Sequence, residues 1–216
     1  MRIGVLGTGV VGQTIGGRLV GLGHQVTMGS RQAGNEKAVA WAEETGEGAS
    51  EGSFADAARF GEVVVNATAG AVSLEALAAA GAENLAGKIL IDVSNPLDVS
   101  HGMPPTLTVC NTDSVGEQIQ RAFPDTKVVK TLNTMNADVM VQPDLLPGPH
   151  TVFVCGNDAE AKHHVSHMLQ GFGWPAEHVM DLGDIAGARG CEMYLPLWLR
   201  LWGATQTGHL NVRVVT

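Results

Sequence analysis

At 216 residues, of which 44% are hydrophobic, the chain is long enough for one large domain, or for a domain with a modest appendage. Its formal net charge of −9 argues against nucleic acid or an anionic membrane surface as a partner, because such binding needs distributed positive charge. No apolar run approaches the roughly 20 residues that cross a bilayer. Because the first predicted strand starts at Arg2, we expect no targeting peptide. The three cysteines lie far apart, which predicts a reduced, cytoplasmic protein without a disulfide framework.

Short β-branched strands alternate with alanine-rich helical stretches along most of the chain. Strands are predicted at Arg2–Leu6, Gln25–Met28, Glu62–Asn66, Lys88–Asp92, Lys127–Thr131, Thr151–Cys155 and His178–Asp181. Helices are predicted at 10–22, 35–45, 53–59, 71–81, 114–123 and 158–171. Continuous apolar strands such as VVVNA and KILIDV are typical of parallel sheets covered on both faces. The pattern predicts an α/β fold of the Rossmann type, with a doubly wound, mostly parallel sheet.

The last segment of the chain changes character. From Gly187 onward the stretch GARGCEMYLPLWLRLWGATQTGHLN has a helical pattern rich in Leu, Trp and Met, and Pro196 is expected to kink or restart the helix. We therefore predict a nucleotide-binding domain over residues 1–184 and a C-terminal helical segment over residues 185–216. Because so much apolar surface needs a partner, this segment covers the sheet or joins two copies of the chain; we favour a homodimer.

The first predicted strand runs into the glycine motif GTGVVG, which spans residues 7–12 and opens a predicted helix. This strand–turn–helix context indicates dinucleotide binding. Gly7 is expected to make the tight turn, Gly9 to let the backbone approach a pyrophosphate, and Gly12 to let helix and strand pack closely. The N–H groups at the helix start would point at the phosphates. The predicted cofactor-binding residues of this turn are Gly7, Thr8, Gly9, Val10, Val11 and Gly12.

The end of the second strand indicates which dinucleotide is bound. NAD-binding chains commonly place an acid there to accept the ribose 2′-hydroxyl, but this chain has Gly29, Ser30 and Arg31. Glycine would leave space for a 2′-phosphate, Ser30 could donate a hydrogen bond, and Arg31 offers a planar fork for phosphate oxygens. Lys37 could add positive charge. We predict NADP; in the alternative, Arg31 stacks on the adenine or caps a loop.

Several motifs together resemble one family. The order GTGxxG, GHxVxxGSR, VVVNAT, VVKTLNT, VFVCGND with AKHHVSHML, and DLGDIAGAR is similar to the NADPH-dependent reductases of coenzyme F420, over nearly the whole chain. The resemblance implies hydride transfer between NADPH and a 5-deazaflavin whose rings stack at the carboxyl ends of the strands. Such a reaction needs no side-chain nucleophile. We therefore assign no catalytic residue and expect the protein to hold the two reacting carbons at roughly 3–3.5 Å.

The resemblance also implies where the deazaflavin binds. By position, the segment LNTMNADVM at residues 132–140 matches the family stretch that carries the deazaflavin contacts. Its candidate residues are Asn133, Thr134, Met135, Asn136 and Ala137, through backbone or side-chain groups. The family pattern often has histidine where this chain has Asn133, and asparagine can hydrogen-bond a ring carbonyl but carries no charge.

Residues at the ends of central strands are candidates for the nicotinamide end. Thr68 and Ala69 follow VVVNA, and Asn95 follows ILIDVS, so they are expected to flank the nicotinamide and its ribose; in the alternative they are ordinary turn residues. His163 and His167 are four residues apart on a predicted helix, as metal ligands would be. Because no third ligand accompanies them, we predict an exposed helix face and no metal site.

The hydride acceptor is less firmly indicated than the nucleotide. The nucleotide-binding module also resembles the cytosolic domain of membrane ferric reductases. An NADPH-dependent reductase of a flavin, imine, quinone or metal chelate is therefore an alternative. A redox-sensing, non-catalytic NADP-binding protein is a third possibility, because fold analogy alone does not establish function. The predicted cofactors are NADP and coenzyme F420, and the predicted partners are a small-molecule redox acceptor and a second copy of the chain.

Overall fold

A computed structural model describes residues 1–216, which form a large sheet flanked by helices. The strands are β1 (Arg2–Leu6), β2 (Gln25–Ser30), β3 (Ala49–Ser53), β4 (Val63–Asn66), β5 (Ile89–Asp92), β6 (Leu97–Asp98), β7 (Thr106–Leu107), β8 (Lys127–Thr131), β9 (Val152–Gly156) and β10 (Val179–Asp181). The helices are α1 (Val10–Gly21), α2 (Glu36–Thr45), α3 (Phe54–Phe60), α4 (Gly70–Ala80), α5 (Ala82–Leu85), α6 (Val115–Ala122), α7 (Ala137–Val141), α8 (Ala159–Phe172), α9 (Ala188–Met193) and α10 (Leu195–Thr205). Short 3-10 helices lie at Pro143–Leu145, Ala176–His178 and Ile185–Gly187.

The main sheet has eight strands in the order β10-β9-β8-β5-β4-β1-β2-β3. Neighbouring strands are parallel except for β8 and β9, which are antiparallel. Strands β6 and β7 form a separate two-stranded antiparallel ladder. The chain moves outward from β1 in both directions, as in doubly wound folds. The predicted Rossmann-type fold, with its mostly parallel sheet and its C-terminal helices, is confirmed.

Both faces of the sheet are apolar, which explains why the central strands read as continuous hydrophobic runs. Along β4, Val63 and Val65 belong to the hydrophobic cluster on one face, whereas Val64 belongs to the cluster on the other. This alternation is the period of two that a strand imposes on its side chains. Each fully buried valine or leucine contributes about 1.5–3 kcal/mol of hydrophobic stabilisation. The two clusters together hold the central strands in place and so position the loops that follow them.

Several elements differ from the sequence prediction. Strand β3, with the sequence ASEGS, was not predicted, because small polar residues have low strand propensity and β3 lies at the sheet edge beside β2. The β6–β7 ladder and the short helices α5 and α7 were not predicted either. Strand β2 extends to Ser30, two residues beyond its predicted end. The extension matters because it places Gly29 inside the sheet.

Helices α9 and α10 follow one another with a break at Tyr194, and Pro196 lies in the first turn of α10. A proline is tolerated there because the first helical N–H groups have no partner within the helix. The predicted restart of the helix at this proline is confirmed. Leu197 and Trp202 of α10 are 55% and 43% exposed. None of the helices combines the length and apolar character that a membrane-crossing segment requires.

Candidate active site

A cavity of about 670 Å³ opens at the carboxyl ends of β1, β2 and β4. It is lined by Gly7, Thr8, Gly9, Ser30, Arg31, Asn35, Phe54, Ala67, Thr68, Ala69, Val72, Glu75, Ala76 and Ala79. Open α/β sheets bind ligands at this edge, and the volume is typical of small-molecule sites. The structure therefore brings together seven of the predicted residues: Gly7, Thr8, Gly9, Ser30, Arg31, Thr68 and Ala69.

The three motif glycines are required for different steric reasons. Gly7 has φ of +118°, and a Cβ there would lie 2.7 Å from the carbonyl oxygen of Ala67. A Cβ on Gly12 would collide with the carbonyl oxygen of Gly7. At Gly9, in contrast, a Cβ would meet no atom within 4 Å, so the open space beside it belongs to the cavity. This is the division of roles that dinucleotide binding demands of such a turn.

The N-terminus of α1 is suited to bind an anion. Gly9 is the N-cap and supplies no side-chain hydrogen bond, and the first turn of α1 contains no acidic residue. The leading N–H groups of Val10, Val11 and Gly12 therefore have no capping side chain. The side chain of Val10 is itself exposed, whereas Val11 is half-buried. Because the helix dipole adds partial positive charge at this end, a phosphate group would be stabilised here.

Ser30 and Arg31 differ in how available they are. The Ser30 hydroxyl donates to the carbonyl oxygen of Gln32 and accepts from its N–H at 3.3 Å, so it shapes the turn after β2. Arg31 is exposed at the cavity rim and forms no ion pair. Lys37 is exposed in the first turn of α2 and does not line the cavity. Arg31 is therefore the cation best placed to meet a ligand at this end.

Gly29 has a different role from the one expected. A Cβ at this position would lie 2.8 Å from the Cβ of Ala57 and 3.2 Å from atoms of Leu6 and Phe54. The glycine thus allows α3 to pack against β2, and it does not line the cavity. Gly29 was expected to leave space for a phosphate, but the structure gives a steric reason for the glycine. A side chain at this position, including the acid common in NAD-binding chains, would collide with α3.

Asn35 lines the cavity and was not predicted as a site residue. Its Oδ1 accepts from the N–H groups of Lys37 at 3.1 Å and Ala38 at 3.3 Å, which caps α2. A neighbouring contact holds the same loop, since Gly34 donates its N–H to Glu51 Oε2 at 2.9 Å. The signal available in the sequence was an asparagine immediately before a helix, which is typical of an N-cap. With its oxygen engaged in capping, the amide nitrogen of Asn35 remains for a ligand.

At the other end of the site, polar side chains lie inside the sheet. The strand register places Asn66, Asp92 and Lys130 side by side on β4, β5 and β8, each 0% exposed. Lys130 Nζ donates to Asp92 Oδ2 at 2.8 Å and to the carbonyl oxygen of Ser94 at 2.6 Å, and it pairs with Glu192 Oε1 of α9 at 2.8 Å. We call Asn66, Asp92, Lys130 and Glu192 the polar network.

The polar network combines one cation, Lys130, with the two carboxylates of Asp92 and Glu192. Burial by itself would lower the pKa of Lys130, but the carboxylates of Asp92 and Glu192 raise that pKa above its ordinary value. Lys130 is therefore protonated at neutral pH and donates all three of its hydrogen bonds. Removing one charged partner would leave an uncompensated buried charge, which costs about 3–5 kcal/mol. The sequence pattern does not indicate this network, because its members lie far apart along the chain.

The polar network reaches the cavity wall. Asp92 Oδ1 accepts from Asn66 Nδ2 at 2.9 Å, and Asn66 Oδ1 accepts from the Thr68 hydroxyl at 2.6 Å. Thr68 also shares a hydrogen bond of 2.9 Å with the hydroxyl of Ser73. Since Thr68 lines the cavity, its side chain is held from behind by buried groups.

Asn95 and Asn133 face one another across the loops that follow β5 and β8. Asn95 Nδ2 donates to the carbonyl oxygen of Asn133, and Asn133 Nδ2 donates to Asn95 Oδ1, both at 2.9 Å. The carbonyl oxygen of Asn95 accepts from the N–H of Gly70 at 3.0 Å, next to the cavity residue Ala69. The pair therefore adjoins the cavity without lining it. We call the cavity and this pair together the cleft.

The other candidates from residues 132–140 are mostly buried. Met135 belongs to a hydrophobic cluster, Ala137 begins α7, and Asn136 is the N-cap of that helix. Two buried polar atoms of this stretch, Asn133 Oδ1 and Thr134 Oγ1, have no hydrogen-bond partner, and neither has Ser94 Oγ on the loop after β5. Native proteins leave few such atoms unpaired, and each one calls for a ligand or an ordered water. The deazaflavin contacts predicted for this stretch stay a prediction. Unpaired polar atoms are compatible with it.

His163 and His167 lie on the solvent side of α8, with their Nε2 atoms 3.0 Å apart. Both rings are exposed and meet at right angles, edge to face. The predicted exposed helix face is confirmed.

Comparisons with known proteins decide the family. Residues 2–96 match the family described as NADP oxidoreductase, coenzyme F420-dependent. A crystal structure from Arthrobacter sp. FB24, described as a candidate F420-dependent NADP reductase, is 55% identical, covers 100% of both chains and has a TM-score of 0.94. The chain belongs to the coenzyme F420-dependent NADP oxidoreductase family. The family predicted from the sequence is confirmed, and the chain is an NADP oxidoreductase.

More distant relatives share part of their length with this chain. Metalloreductase STEAP3 of Rattus norvegicus is 33% identical over 205 residues, which are 91% of this chain and 38% of that protein. Metalloreductase STEAP2 of Homo sapiens is 31% identical over 119 residues, or 55% of this chain and 21% of that protein. The chain thus spans well under half of these curated relatives. A reductive aminase from Aspergillus terreus shares the fold, with a TM-score of 0.67 and 17% identity. The match covers 95% of this chain and 62% of that chain.

Proposed function

We propose that the protein transfers a hydride between NADP(H) and the deazaflavin coenzyme F420. The observation that carries this proposal is a glycine turn and an unpaired Arg31 on one cavity, next to buried polar atoms that lack partners. The first two features suit a phosphorylated dinucleotide, and the third suits the polar edge of a second ring system. The full-length likeness to the Arthrobacter protein supports the same acceptor.

The nucleotide would be held mainly by its phosphates. The N–H groups at the start of α1 are available to the pyrophosphate because Gly9 leaves that side of the turn open. Arg31 would grip the 2′-phosphate with two parallel charge-assisted hydrogen bonds, and the amide of Asn35 would add a neutral donor. Val72, Ala76 and Ala79 present an apolar face of α4 that would cover the adenine.

NADPH, when bound, supplies the hydride, so the contribution of this chain is orientation and electrostatics. Thr68 and the Asn95–Asn133 pair would fix the nicotinamide end, because they are held rigidly by the polar network. Asn133 Oδ1 can accept an N–H, while the hydroxyls of Ser94 and Thr134 can donate to carbonyl oxygens. Each of these atoms is buried, so the edge of a deazaflavin ring, which alternates carbonyl and N–H groups, would reach them only with a displacement of the loops after β5 and β8. Leaving such atoms unpaired costs about 1–3 kcal/mol each.

A ferric chelate or a flavin is the second candidate acceptor. The likeness to Metalloreductase STEAP3 over 91% of this chain favours this alternative. Both candidate functions use the same nucleotide site, so they differ only in what approaches the nicotinamide.

One assay separates these functions. Purified protein is mixed with NADPH and oxidised coenzyme F420, and the visible absorption band of the deazaflavin is followed, with FMN and ferric citrate in parallel reactions. We expect the deazaflavin band to bleach only when protein is present, and faster with NADPH than with NADH. NADPH oxidation with FMN or ferric citrate but not with coenzyme F420 would support the second candidate. Tight NADPH binding without turnover of any acceptor would point to a non-catalytic NADP sensor.

We further propose that the chain forms a homodimer through α10. This helix exposes Leu197 and Trp202, and Arg200 is its single charged residue. In a chain with a net charge of −9, α10 is a surface on which two copies would meet with little repulsion. Sedimentation velocity would show a dimer for the natural chain and a monomer for Leu197→Glu, whereas a monomer in both would overturn the proposal.

A further inference from the structure

Lys130 makes contacts that a purely structural residue at the centre of a sheet does not need. Its strand neighbours Val128 and Val129 are buried valines, and an apolar side chain at position 130 would continue that pattern. Replacing buried ion pairs with well-packed apolar residues is often neutral or stabilising. Stability alone is therefore a weak reason for a fully buried lysine paired with two carboxylates. The other hydrogen bonds of its ammonium group offer a further reason.

The ammonium group holds the loop that follows β5. Lys130 Nζ donates to the carbonyl oxygen of Ser94 at 2.6 Å, one residue before Asn95. The same loop is tied on its other side, because the Ser94 N–H donates to Asp92 Oδ1 at 3.2 Å. Asn95 in turn pairs with Asn133 on the loop after β8. One buried cation thus fixes the two loops that border the nicotinamide end of the cleft.

Glu192 brings the C-terminal segment into this arrangement. Its Oε1 pairs with Lys130 at 2.8 Å and accepts from the N–H of Gly116 at 3.0 Å, while Oε2 accepts from the N–H of Val115 at 2.9 Å. The side chain therefore joins α9, the first turn of α6 and the centre of the sheet. Gly116 permits this approach, because a Cβ there would lie 2.9 Å from the Cβ of Ala188 on α9.

We propose that Lys130 and Glu192 are positioning residues for hydride transfer, and that docking of α9 through Glu192 sets the position of the Ser94–Asn95 loop. This inference rests on the proposed hydride-transfer function. Neither residue lines the cavity, so both act through the loops that they hold. The C-terminal segment is accordingly part of the nicotinamide end of the cleft and not a separable appendage.

The chain offers a matched pair of variants to test this proposal. Glu192→Gln keeps the shape and removes the negative charge that faces Lys130. Its single oxygen can accept from only one of the two α6 N–H groups, so part of the contact with α6 is lost as well. Glu117→Gln is the control, because Glu117 of α6 forms an ion pair with Arg189 of α9 and so joins the same two helices. Glu117 makes no contact with Lys130, Ser94 or Asn95.

The measurements are the single-turnover rate of hydride transfer at saturating NADPH, the dissociation constant of NADPH, and the thermal midpoint. We expect Glu192→Gln to slow hydride transfer by about tenfold or more, because small misplacements of the reacting atoms reduce the rate steeply. The dissociation constant should change by less than about twofold, since the phosphates supply most of the binding. Glu117→Gln should lower the thermal midpoint without slowing hydride transfer.

Equal rate losses in the two variants would overturn the proposal, since helix docking in general would then be the cause. A loss in Glu192→Gln that is matched by weaker NADPH binding would overturn it as well. If Glu192→Gln does not fold, Glu192→Asp takes its place, because it keeps the charge and moves it away from Lys130.

Failure of the proposed function is distinguishable from failure of this inference. If the natural chain transfers hydride to no acceptor, amide hydrogen exchange of residues 93–96 and 132–136 in the NADPH-bound protein becomes the readout. Faster exchange in Glu192→Gln than in Glu117→Gln would support the positioning role of Glu192. Equal exchange in both variants would overturn it.

Discussion

The two ends of the cleft are assembled from residues with very different spacing along the chain. At the end where we propose that adenosine binds (the adenosine end), the turn at residues 7–12 and the pair Ser30–Arg31 come from one strand–helix–strand unit, and Arg31 is open to solvent. At the end where we propose that nicotinamide binds (the nicotinamide end), the polar network joins residues from β4, β5, β8 and α9, and it is buried throughout. The adenosine end therefore resembles a docking surface, whereas the nicotinamide end resembles a piece of the core.

This difference separates binding from chemistry. An exposed arginine and free N–H groups can meet phosphates without rearrangement, so changes there should alter affinity. Buried groups that hold loops from behind have little surface to offer a ligand, so changes there should alter geometry and hence rate. Three substitutions probe this division, and a fourth tests an ion pair outside the cleft.

The largest effect is expected from Gly12→Ala. The added Cβ would collide with the carbonyl oxygen of Gly7 and displace the turn. Overpacking of this kind costs about 1–3 kcal/mol of folding stability, and the displaced N–H groups would weaken NADPH binding by roughly 100-fold, or about 2.7 kcal/mol. Gly9→Ala is the control, because its Cβ meets no protein atom within 4 Å and should weaken binding while leaving the thermal midpoint unchanged. Identical behaviour of the two variants would contradict the steric assignment.

Arg31→Ala should give the next largest effect, because it weakens NADPH binding without the loss of folding stability expected for Gly12→Ala. Hydrogen bonds to charged groups contribute about 1.5–3 kcal/mol, which corresponds to a rise in the NADPH dissociation constant of roughly 10–150-fold. The dissociation constant of NADH should be unchanged, because NADH lacks the phosphate. Fluorescence titration of both nucleotides checks the prediction, with Arg59→Ala as a control on an exposed arginine already paired with Asp56. Equal losses for NADPH and NADH would show that Arg31 stacks on the adenine.

Asn133→Ala tests the nicotinamide end. The substitution removes the unpaired Oδ1 and the hydrogen bond from Asn133 Nδ2 to Asn95 Oδ1, whereas the backbone carbonyl that accepts from Asn95 Nδ2 remains. We expect the rate of hydride transfer to fall by about tenfold, while the NADPH dissociation constant changes by less than about twofold. Stopped-flow measurement at saturating NADPH gives the rate. Asn84→Ala is the control. Asn84 of α5 donates to the carbonyl oxygen of Ala80 at the end of α4, a contact outside the cleft. A loss confined to affinity would place Asn133 at the binding end.

The smallest effect concerns the partly exposed ion pair between Asp113, which precedes α6, and Arg121 of α6. The Arg121 guanidinium lowers the pKa of Asp113 from 3.8 to about 2. A lowered carboxyl pKa contributes stability that is present above pH 3.8 and is lost as the pH falls through about 2. Asp113→Asn should therefore be less stable than the natural chain at neutral pH, by at most about 1 kcal/mol for so exposed a pair.

Urea unfolding at several pH values measures that difference. The gap between the natural chain and Asp113→Asn should close as the pH approaches 2. Asp125→Asn, which removes a carboxylate that forms no ion pair, should show no such trend. A gap that persists in acid would show that Asp113 stabilises the chain without its charge.

Much of the fold was predictable because local rules act within a few residues. The predicted strands from β1 to β10 appear within about two residues of their expected bounds, since apolar runs bounded by turns suit a covered sheet. Strand β3 was missed because ASEGS has no apolar pattern, and its strand state comes from pairing with β2. Gly29 was identified correctly as a departure from NAD-binding chains, but its reason is contact with α3, which is visible only after folding.

The amino-acid sequence by itself determined the glycine turn, the place of Arg31 after β2, and the order of the strands and helices other than β3, β6, β7, α5 and α7. These depend on backbone sterics and hydrogen bonds between near neighbours. The tertiary structure alone decided that Lys130 meets Asp92 and Glu192, and that Asn95 pairs with Asn133. Those partners are far apart along the chain, so their contact follows from strand order and helix docking, which the packing of the whole core sets.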